Sequence, residues 1–276
     1  MEHLASTTWS DVDRTQHSSR IIDYLDLLRS QPPFQRMKER TFEWMLEAGP
    51  EQILDVGCGT GADVIDLAER LKASGTARVV GVDRSRDLVT EARSRADAAD
   101  LSVSVEFRTA DATDLDFPDA TFDAVRTDRV LQHLDQPEQG LLEMIRVTRP
   151  GGRVVISDVD HGGLMVDCSH PMLMQRIHHF VEAALTHPWI GRRLPVMFRD
   201  AGLSDLRVDV QVAYLSFEFI TQMVGLSEVM TGMTQAGVFT KREAGALAED
   251  LNSRGASGRW YAGIPVFIVH GRTVAS

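Results

Sequence analysis

Three glycines spaced two residues apart follow a short apolar run that carries one acid. The stretch from Ile53 to Gly61 reads Ile-Leu-Asp-Val-Gly-Cys-Gly-Thr-Gly. Glycine has no Cβ and tolerates positive φ, so such a loop lets the backbone approach a ligand closely. Apolar residues at helical spacing follow the loop, namely Val64, Leu67, Ala68 and Leu71. A strand, a tight glycine turn and a helix in this order predict a nucleotide-binding βα unit.

Two further acids lie where later strands are predicted to end. Asp83 closes the second strand, 22 residues after Gly61. An ionised carboxylate accepts two hydrogen bonds at once, so Asp83 predicts binding of the two hydroxyls of a ribose. Asp111 closes the third strand. There it could accept a hydrogen bond from an adenine amino group or cap a turn with its own side chain, and both interpretations stay open.

The histidines after the fifth predicted strand do not have the spacing of a metal site. Zinc sites usually contain two ligands three or four positions apart, with others converging on them. The histidines are His161, His170, His178, His179 and His187, and successive members are nine, eight, one and eight positions apart. We therefore predict no bound metal.

The composition is that of an acidic globular protein. The 276 residues carry a formal net charge of -11, which argues against general binding to nucleic acid or anionic membranes. No apolar run approaches the ~20 residues that a membrane span requires. Of the two cysteines, Cys58 and Cys168, the first lies inside the glycine loop, where a disulfide would hinder a ligand. Reduced thiols and a cytoplasmic protein are expected.

A repeated pattern of strands and helices must position the glycine loop. Before it, apolar residues at helical spacing predict two helices, one near residues 21–28 and one closed by Gly49 and Pro50. Strands are then predicted over residues 53–56, 78–83, 103–108, 121–126 and 153–158, with helices between them. Repeated βα units with short loops predict an α/β fold: a doubly wound, mostly parallel seven-stranded sheet with helices on both faces.

The pattern changes after residue 160. Longer helices are predicted over 171–185 and 193–201, and two last strands near 206–219 and 265–269 complete the sheet. Residues 220–256 form a helical insertion, whose second helix begins at a capping box formed by Thr240 and Glu243. We therefore divide the chain into an N-terminal helical lid, residues 1–49, and a nucleotide-binding domain, residues 50–276. The helical cap elements of this domain lie at about 161–204 and 220–256.

Five segments in order resemble the successive motifs of class I S-adenosylmethionine (SAM) methyltransferases. They are Ile-Leu-Asp-Val-Gly-Cys-Gly-Thr-Gly at 53–61, Gly-Val-Asp at 81–83, Ala-Asp-Ala at 110–112, Phe-Asp-Ala-Val at 122–125 and Arg-Val-Thr-Arg-Pro-Gly-Gly at 146–152. The similarity spans roughly residues 50–160, which makes it far more specific than one glycine loop. The sequence most resembles the ubiquinone/menaquinone-type (type 11) small-molecule branch, which includes bacterial natural-product enzymes.

The resemblance implies SAM as the cofactor, S-adenosyl-L-homocysteine (SAH) as its product, and a role for each matching residue. Asp55 and the first two loop glycines would border the methionine part of SAM, Asp83 its ribose, and Asp111 with Ala112 its adenine. Residues 130–134 match the segment that faces the transferred methyl group. The implied cofactor-binding residues are Asp55, Gly57, Cys58, Gly59, Gly61, Asp83, Arg84, Asp111, Ala112, Thr127 and Gln132.

Methyl transfer requires an acceptor held in line with the sulfur–methyl bond, and a base when the acceptor loses a proton. His133 is the first catalytic candidate, because imidazole titrates near neutrality and the matched segment places it beside the methyl group. The alternative is that His133 only packs against the loop or orients it. His161, just after the fifth strand, is the second candidate.

Methionine and aromatic residues are concentrated in the C-terminal half, above all in the insertion. Such residues often only fill gaps in a core. Their position outside the sheet strands nevertheless predicts an apolar acceptor pocket to which residues 220–240 contribute. The predicted function is SAM-dependent methylation of an O, N or C atom of a hydrophobic or aromatic small molecule in secondary metabolism.

Two other functions fit parts of the sequence. Gly57-x-Gly59-x-x-Ala62 satisfies a looser dinucleotide fingerprint, and an acid after the second strand also suits NAD. Asp63 counts against NAD, because a carboxylate in the first helical turn would repel a pyrophosphate. A protein of this fold could also bind SAM without methylating anything. Both a monomer and a homo-oligomer stay open.

Overall fold

A central sheet organises the molecule. The computed structural model describes residues 12–14, 18–73, 75–99, 101, 103–224 and 226–274. Within these residues the strands are β1 (Gln52–Val56), β2 (Arg78–Asp83), β3 (Ser104–Thr109), β4 (Phe122–Asp128), β5 (Thr148–Val159), β6 (Met165–Val166), β7 (Ser204–Tyr214) and β8 (Ala262–Arg272).

The strand order is β3-β2-β1-β4-β5-β8, and β7 pairs with β8. β1 to β5 pair with one another in parallel. β8 is antiparallel to both β5 and β7, and the two-residue β6 also pairs with β8. Seven strands of five residues or more therefore confirm the predicted doubly wound, mostly parallel sheet. The structure adds β6 to them.

In the part of the chain that the structure describes, the α-helices are α1 (Ser18–Ser30), α2 (Pro32–Leu46), α3 (Ala62–Leu71), α4 (Arg86–Ala98), α5 (Pro137–Val147), α6 (Pro171–Ala184), α7 (Ile190–Asp200), α8 (Phe217–Val224), α9 (Leu226–Gln235) and α10 (Lys241–Ala256). None of these helices is long and apolar enough to cross a membrane.

The helices cover both faces of the sheet. On one face, α2, α3 and α4 bury side chains such as Met45 and Leu67 against the strands. On the other face, α5 and α7 contribute Leu141 and Phe198 to a second cluster. Such double coverage explains why β1, β2 and the second half of β5 are mostly apolar, since both faces of these strands are buried.

Charged groups join α2 to the sheet beneath the glycine loop. Arg126 in β4 is only 1% exposed. Its guanidinium donates to Asp55 Oδ1 at 2.8 Å and to Asp63 Oδ2 at 2.9 Å. Its Nε donates to the hydroxyl of Thr41 in α2 at 2.8 Å, and Lys38 of α2 also contacts Asp63. Because buried charges are costly unless paired, β1, α2, α3 and β4 must assemble together.

One predicted strand ends earlier than expected. The strand predicted over 206–219 stops at Tyr214, and α8 begins at Phe217. The hydroxyl of Ser216 accepts the N–H of Phe219 at 3.1 Å, a side-chain bond typical of a helix start, and so ends the strand pattern. The capping box predicted at Thr240 and Glu243 is confirmed at the start of α10.

The substitution Arg126→Ala tests the buried charges. It leaves Asp55 and Asp63 buried without the cation that they share, so we expect the free energy of unfolding to fall by about 3–5 kcal/mol. The control is Arg193→Ala, which removes an exposed ion pair with Glu138 and should cost at most about 1 kcal/mol. Urea unfolding followed by circular dichroism measures both values. A loss for Arg126→Ala no greater than that of the control contradicts the role given to the cluster.

Candidate functional site

A crevice of about 210 Å³ opens at the carboxyl ends of the central strands. The glycine loop, Asp83 and the segment after β4 form its floor, and α1 and α2 lie over it. Its lining includes Tyr24, Leu28, Phe34, Gly57, Gly59, Asp83, Asp128, Arg129, Gln132, His133, Val159, His161, Leu215, Phe219 and Ile264. The carboxyl edge of a parallel sheet is where α/β folds bind ligands, so this crevice is the candidate site.

The glycine loop has the backbone geometry that its sequence predicts. Gly57 and Gly59 have φ values of +73° and +54°, which L side chains rarely adopt. The N–H groups of Gly57 and Cys58 donate to the carbonyl of Val82 at 2.7 and 2.9 Å, which holds the loop against β2. A Cβ on Gly59 would meet only Leu25 of α1, at 3.3 Å, and would enter the crevice. The loop therefore leaves space that a ligand can fill.

Asp83 holds the loop and faces the crevice. Its Oδ2 accepts the N–H of Gly59 at 2.8 Å, and its Oδ1 accepts the N–H of Ser85 at 2.9 Å. Burial raises the pKa of this carboxyl, although the backbone N–H groups act in the opposite direction. Each carboxylate oxygen has a second lone pair, so the side chain can still accept hydrogen bonds from a bound diol.

Gly61, Cys58 and Arg84 occupy different positions around the loop. Gly61 begins α3 with φ of +76°, and a Cβ there would lie 2.7 Å from Ala92 and from the ring of Phe107. Its role is therefore to let α3 pack closely. Cys58 is a buried free thiol within the loop, and Arg84 is exposed next to Asp83.

The structure does not support a side-chain contact between Thr127 and a cofactor. Thr127 is fully buried in β4, and its hydroxyl donates to the carbonyl of Val56 at 2.7 Å. Asp111 accepts both the N–H and the hydroxyl of Thr113, at 2.9 and 2.7 Å, which is the turn-capping geometry left open by the sequence. The adenine contact of Asp111 and Ala112 stays a prediction.

A second, polar cavity of about 70 Å³ adjoins the crevice behind the glycine loop. Asp55, Asp63, Lys38 and Arg126 line it. Asp63 also pairs with Arg29 of α1 at 2.9 Å. Three cations therefore balance the charge of Asp63, and this acid would not repel a pyrophosphate as we predicted from the sequence. That argument against NAD is therefore wrong. The sequence did not reveal the pairing, because the partners of Asp63 lie far from it in the chain.

Gln132, His133 and His161 meet at the floor of the crevice. Gln132 Oε1 lies 2.9 Å from His161 Nε2, so this ring nitrogen carries the proton and Nδ1 keeps its lone pair. Burial, with His161 and Arg129 nearby, lowers the pKa of His133 to about 3. Burial lowers the pKa of His161 to about 4 against the opposite effect of Asp160. Both rings are therefore neutral at pH 7.

Asp158 is a buried acid behind this group that the sequence did not indicate as functional. It lies at the end of β5 and accepts the N–H groups of Val159 at 2.9 Å and Gln132 at 3.2 Å. Burial raises its pKa to about 7, against the lowering effect of those two hydrogen bonds. Asp158 thus fixes the short 3-10 turn, Leu131–His133, that carries the first catalytic candidate.

The methionines of the helical insertion do not form the apolar part of the crevice. Met230 and Met233 of α9 pack with Met174 of α6 in a separate cluster that also contains residues of α10. The prediction that residues 220–240 contribute the acceptor pocket is therefore wrong for these side chains, which fill a core. The apolar lining comes from Tyr24, Leu28, Phe34, Leu215, Phe219 and Ile264.

Sequence reasoning missed two charged residues of the crevice, Asp128 and Arg129. A signal was present, because β4 carries Arg126 and Asp128 although most of the strand is buried. Arg129 has a φ of +59°, which is rare outside glycine and asparagine. Its position can be recognised only from the folded backbone.

The chain is similar to known methyltransferases. The family described as "Methyltransferase domain" matches residues 49–193, just over half of the chain. An uncharacterised 37.1 kDa protein in transposon TN4556 of Streptomyces fradiae is 32% identical over 253 residues, which cover 90% of this chain and 70% of that protein. A demethylmenaquinone methyltransferase of Clavibacter sepedonicus is 44% identical over 108 residues, which cover 39% of this chain and 41% of that enzyme.

Among solved structures, phosphoethanolamine N-methyltransferase 2 of Haemonchus contortus in complex with SAM has a similar fold. The TM-score is 0.56 at 17% identity, and the match covers 97% of this chain and 60% of that chain. At this identity the likeness concerns the fold alone.

Asp83→Asn tests the ribose contact. The amide keeps the shape of the carboxyl but offers one acceptor oxygen instead of two, so we expect SAH binding to weaken by about 1–3 kcal/mol. Isothermal titration calorimetry measures the affinity. Asp87→Asn, an exposed change in the first turn of α4, is the matched control and should bind SAH like the unmodified chain. Unchanged affinity in Asp83→Asn refutes the contact.

Asp158→Asn tests the buried acid through the pH dependence of stability. The pKa of Asp158 is raised from 3.8 to about 7, so its contribution is fully present below about pH 4 and is lost as pH rises through 7. Between pH 4 and pH 8 the unmodified chain should therefore lose on the order of 3 kcal/mol relative to Asp158→Asn. Urea unfolding across this range measures the difference. Asp135→Asn, an exposed control, should parallel the unmodified chain, and parallel curves for Asp158→Asn would rule out the buried titration.

Proposed function

The chain belongs to the methyltransferase-domain family, and we propose that it transfers a methyl group from SAM to a hydrophobic or aromatic small molecule. It is a class I enzyme of the ubiquinone/menaquinone-type (type 11) branch, and SAM is its cofactor. The observation that carries the proposal is the crevice itself. There, the glycine loop and Asp83 lie next to a pair of neutral histidines and an apolar wall.

The two cavities suit the two ends of the cofactor. The polar cavity behind the loop contains paired cations and acids, which can take up the charged amino-acid end of SAM. Asp55 is committed to Arg126, so we propose that it acts on this end through the cluster as a whole. Gly57, Gly59 and Asp83 then border the sulfonium and the ribose, and Gln132 lies beside the methyl group. The positive φ and open side of Gly59 support this fit.

The apolar wall supports a hydrophobic or aromatic acceptor. Phe34 and Phe219 both line the crevice and contact each other with ring centroids 6.2 Å apart. Tyr24 and Leu28 of α1 lie above the same space. Aromatic side chains of this kind bind flat apolar ligands well, because they offer a large contact area and defined ring-packing geometry. The similar Clavibacter enzyme is named for a quinone-type acceptor, which agrees with this chemistry.

The protein has little bond-making chemistry to do. When bound, SAM supplies an activated methyl group with a neutral thioether as leaving group. The crevice must exclude water, orient the acceptor and accept or relay its proton. We propose His133 and His161 for the relay of this proton, because both line the crevice and both are neutral at pH 7.

We propose that α1 and α2 act as the lid over this site, as part of an N-terminal unit of residues 1–49. The contacts of Tyr24, Leu28 and Phe34 with the crevice support this role. We also propose that α6, α9 and α10, within residues 161–204 and 220–256, form a cap beside it, because they share one core. α7 lies in the first of these ranges but packs on the sheet and is not part of this cap. Cys58 and Cys168 are free thiols, which supports a cytoplasmic location.

Calorimetric titration with SAM and with NAD tests the cofactor, and mass spectrometry of a panel of phenols and quinols tests turnover. We expect SAM to bind, NAD not to bind, and one acceptor to gain the mass of one methyl group. Binding of NAD without SAM would overturn the proposal. Binding of SAM without any methylated product would leave a SAM-binding protein that does not methylate.

Two glycine variants make this test specific to the site. Gly59→Ala places a Cβ in the crevice, and we expect SAM affinity to fall at least about tenfold. Gly49→Ala introduces the same strain at φ of +63°, where the added Cβ meets nothing within 4 Å, and should bind SAM normally. Equal affinity in the two variants would argue that the cofactor binds elsewhere.

A further inference from the structure

The crevice contains a cation that the proposed roles do not use. Arg129 follows β4 directly and lines both the crevice and the polar cavity. Its N–H donates to the carbonyl of Ser157 at 2.7 Å, and its own carbonyl accepts the side chain of Gln132 at 3.3 Å. These bonds hold the residue at its φ of +59°. Backbone strain of this kind persists where the surrounding structure enforces it, and it is concentrated at functional sites.

The guanidinium of Arg129 lies on the acceptor side of the crevice. Its Cζ is 5.2 Å from the ring centroid of Phe34, the residue that faces Phe219. The side chain of Arg129 is 15% exposed. It therefore presents a largely desolvated positive charge to the same space as the apolar wall, where an interaction with an anion is stronger than in water.

The charge of Arg129 is only partly balanced. Of the five N–H groups of a guanidinium, the described residues give one hydrogen bond, from Nη2 to Asp128 Oδ2 at 3.2 Å. Asp128 also contacts Lys38 at 3.1 Å and Arg126 at 3.6 Å. One carboxylate is thus shared by three cations, and the remaining donors of Arg129 can serve a ligand.

The other titratable groups near Arg129 come from every element around it. They are Tyr24 on α1, Lys38 on α2, Asp63 on α3, Asp128 on β4, His133 after β4 and Asp158 on β5. The two histidines nearest the acceptor space are buried and neutral. They are weak bases, so they can relay a proton but cannot retain one. The ionisation of the acceptor must therefore be favoured by another group.

We propose that Arg129 binds the anionic form of the methyl acceptor, and that the acceptor is therefore a molecule with an acidic hydroxyl group, a phenol or an enol. This inference rests on the proposed function and names the substrate class of that site. The acceptor hydroxyl loses its proton to water through the histidine-lined floor. The oxyanion then forms a bond to the methyl carbon while the sulfur–carbon bond breaks and its electron pair returns to sulfur. An anion and a sulfonium become a neutral ether and a neutral thioether.

The carboxylate of the cofactor is the other anion that Arg129 could bind. The polar cavity behind the glycine loop already contains Arg29 and Lys38 beside the loop N–H groups. Phe34, over which Arg129 lies, lines the crevice and is not part of the lining of that cavity. The contacts of Arg129 therefore favour the acceptor over the cofactor.

The test uses 4-nitrophenol, whose ionisation is visible by absorbance, with the full chain saturated with SAH. We expect the pKa of the bound phenol to fall by about one unit or more, which is about tenfold tighter binding of phenolate than of phenol. Arg129→Gln should lose this shift and bind phenolate about tenfold more weakly. Its affinities for SAH and for the neutral isostere 4-nitrotoluene should stay within about twofold, and Arg129→Lys should retain part of the shift.

Every other outcome contradicts either the role of Arg129 or the proposed function. Three outcomes overturn the inference. The first is that the pKa of the phenol bound to the unmodified chain is unchanged, the second is that phenolate does not bind, and the third is that the pKa shift persists in Arg129→Gln. A tenfold loss of SAH affinity in both Arg129 variants, with no separate effect on phenolate, assigns Arg129 to the cofactor and also overturns it. Failure of the unmodified chain to bind SAH refutes the proposed function itself, so the two failures are distinguishable.

Discussion

The burial of one guanidinium constrains the whole site. Arg126 lies in the middle of the sheet, and its closest hydrogen-bond partners are carboxylates and a hydroxyl from other elements. Asp55 comes from the strand before the glycine loop, Asp63 from the helix after it, and Thr41 from α2. The loop is thereby clamped on both sides, and α2 is held over the same edge of the sheet. A site assembled in this way exists only when the N-terminal helices are docked.

The surroundings behind the glycine loop and in front of it differ in charge and polarity. Behind the loop, Lys38, Arg126 and Asp128 keep charges of both signs in close pairs. Burial alone would raise the pKa of Asp128, but Arg129, Lys38 and Arg126 hold it well below its usual range. In front of the loop, burial keeps both histidines neutral, and Arg129 lies among aromatic and apolar side chains. In the proposed function, the zwitterionic end of SAM would lie among paired charges, and the ring of the acceptor would lie against the apolar wall.

Much of the fold could be predicted from the sequence because its signals are local. The glycine loop, the strand end at Asp83 and the capping box at Thr240 each depend on a few neighbouring residues, whereas β3 ends at Thr109, two residues before the predicted end at Asp111. The charge network could not be predicted, since Arg126 finds Thr41 and Asp63 at separations of 85 and 63 residues. The apolar wall was also missed, because methionines that fill a core and aromatic residues that line a pocket have the same composition.

The boundaries of the family match explain why the cofactor is easier to identify than the acceptor. Residues 49–193 contain the glycine loop and Asp83, to which we assign the cofactor, and also both histidines. Tyr24 and Phe34 precede this region, and Leu215, Phe219 and Ile264 follow it. The apolar wall is thus built by segments outside the matched region, and only tertiary packing brings them to the shared edge. Arg129 lies within the matched region, whereas Phe34, which it contacts, lies outside it. Arg129 therefore joins the glycine-loop part of the site to the apolar wall.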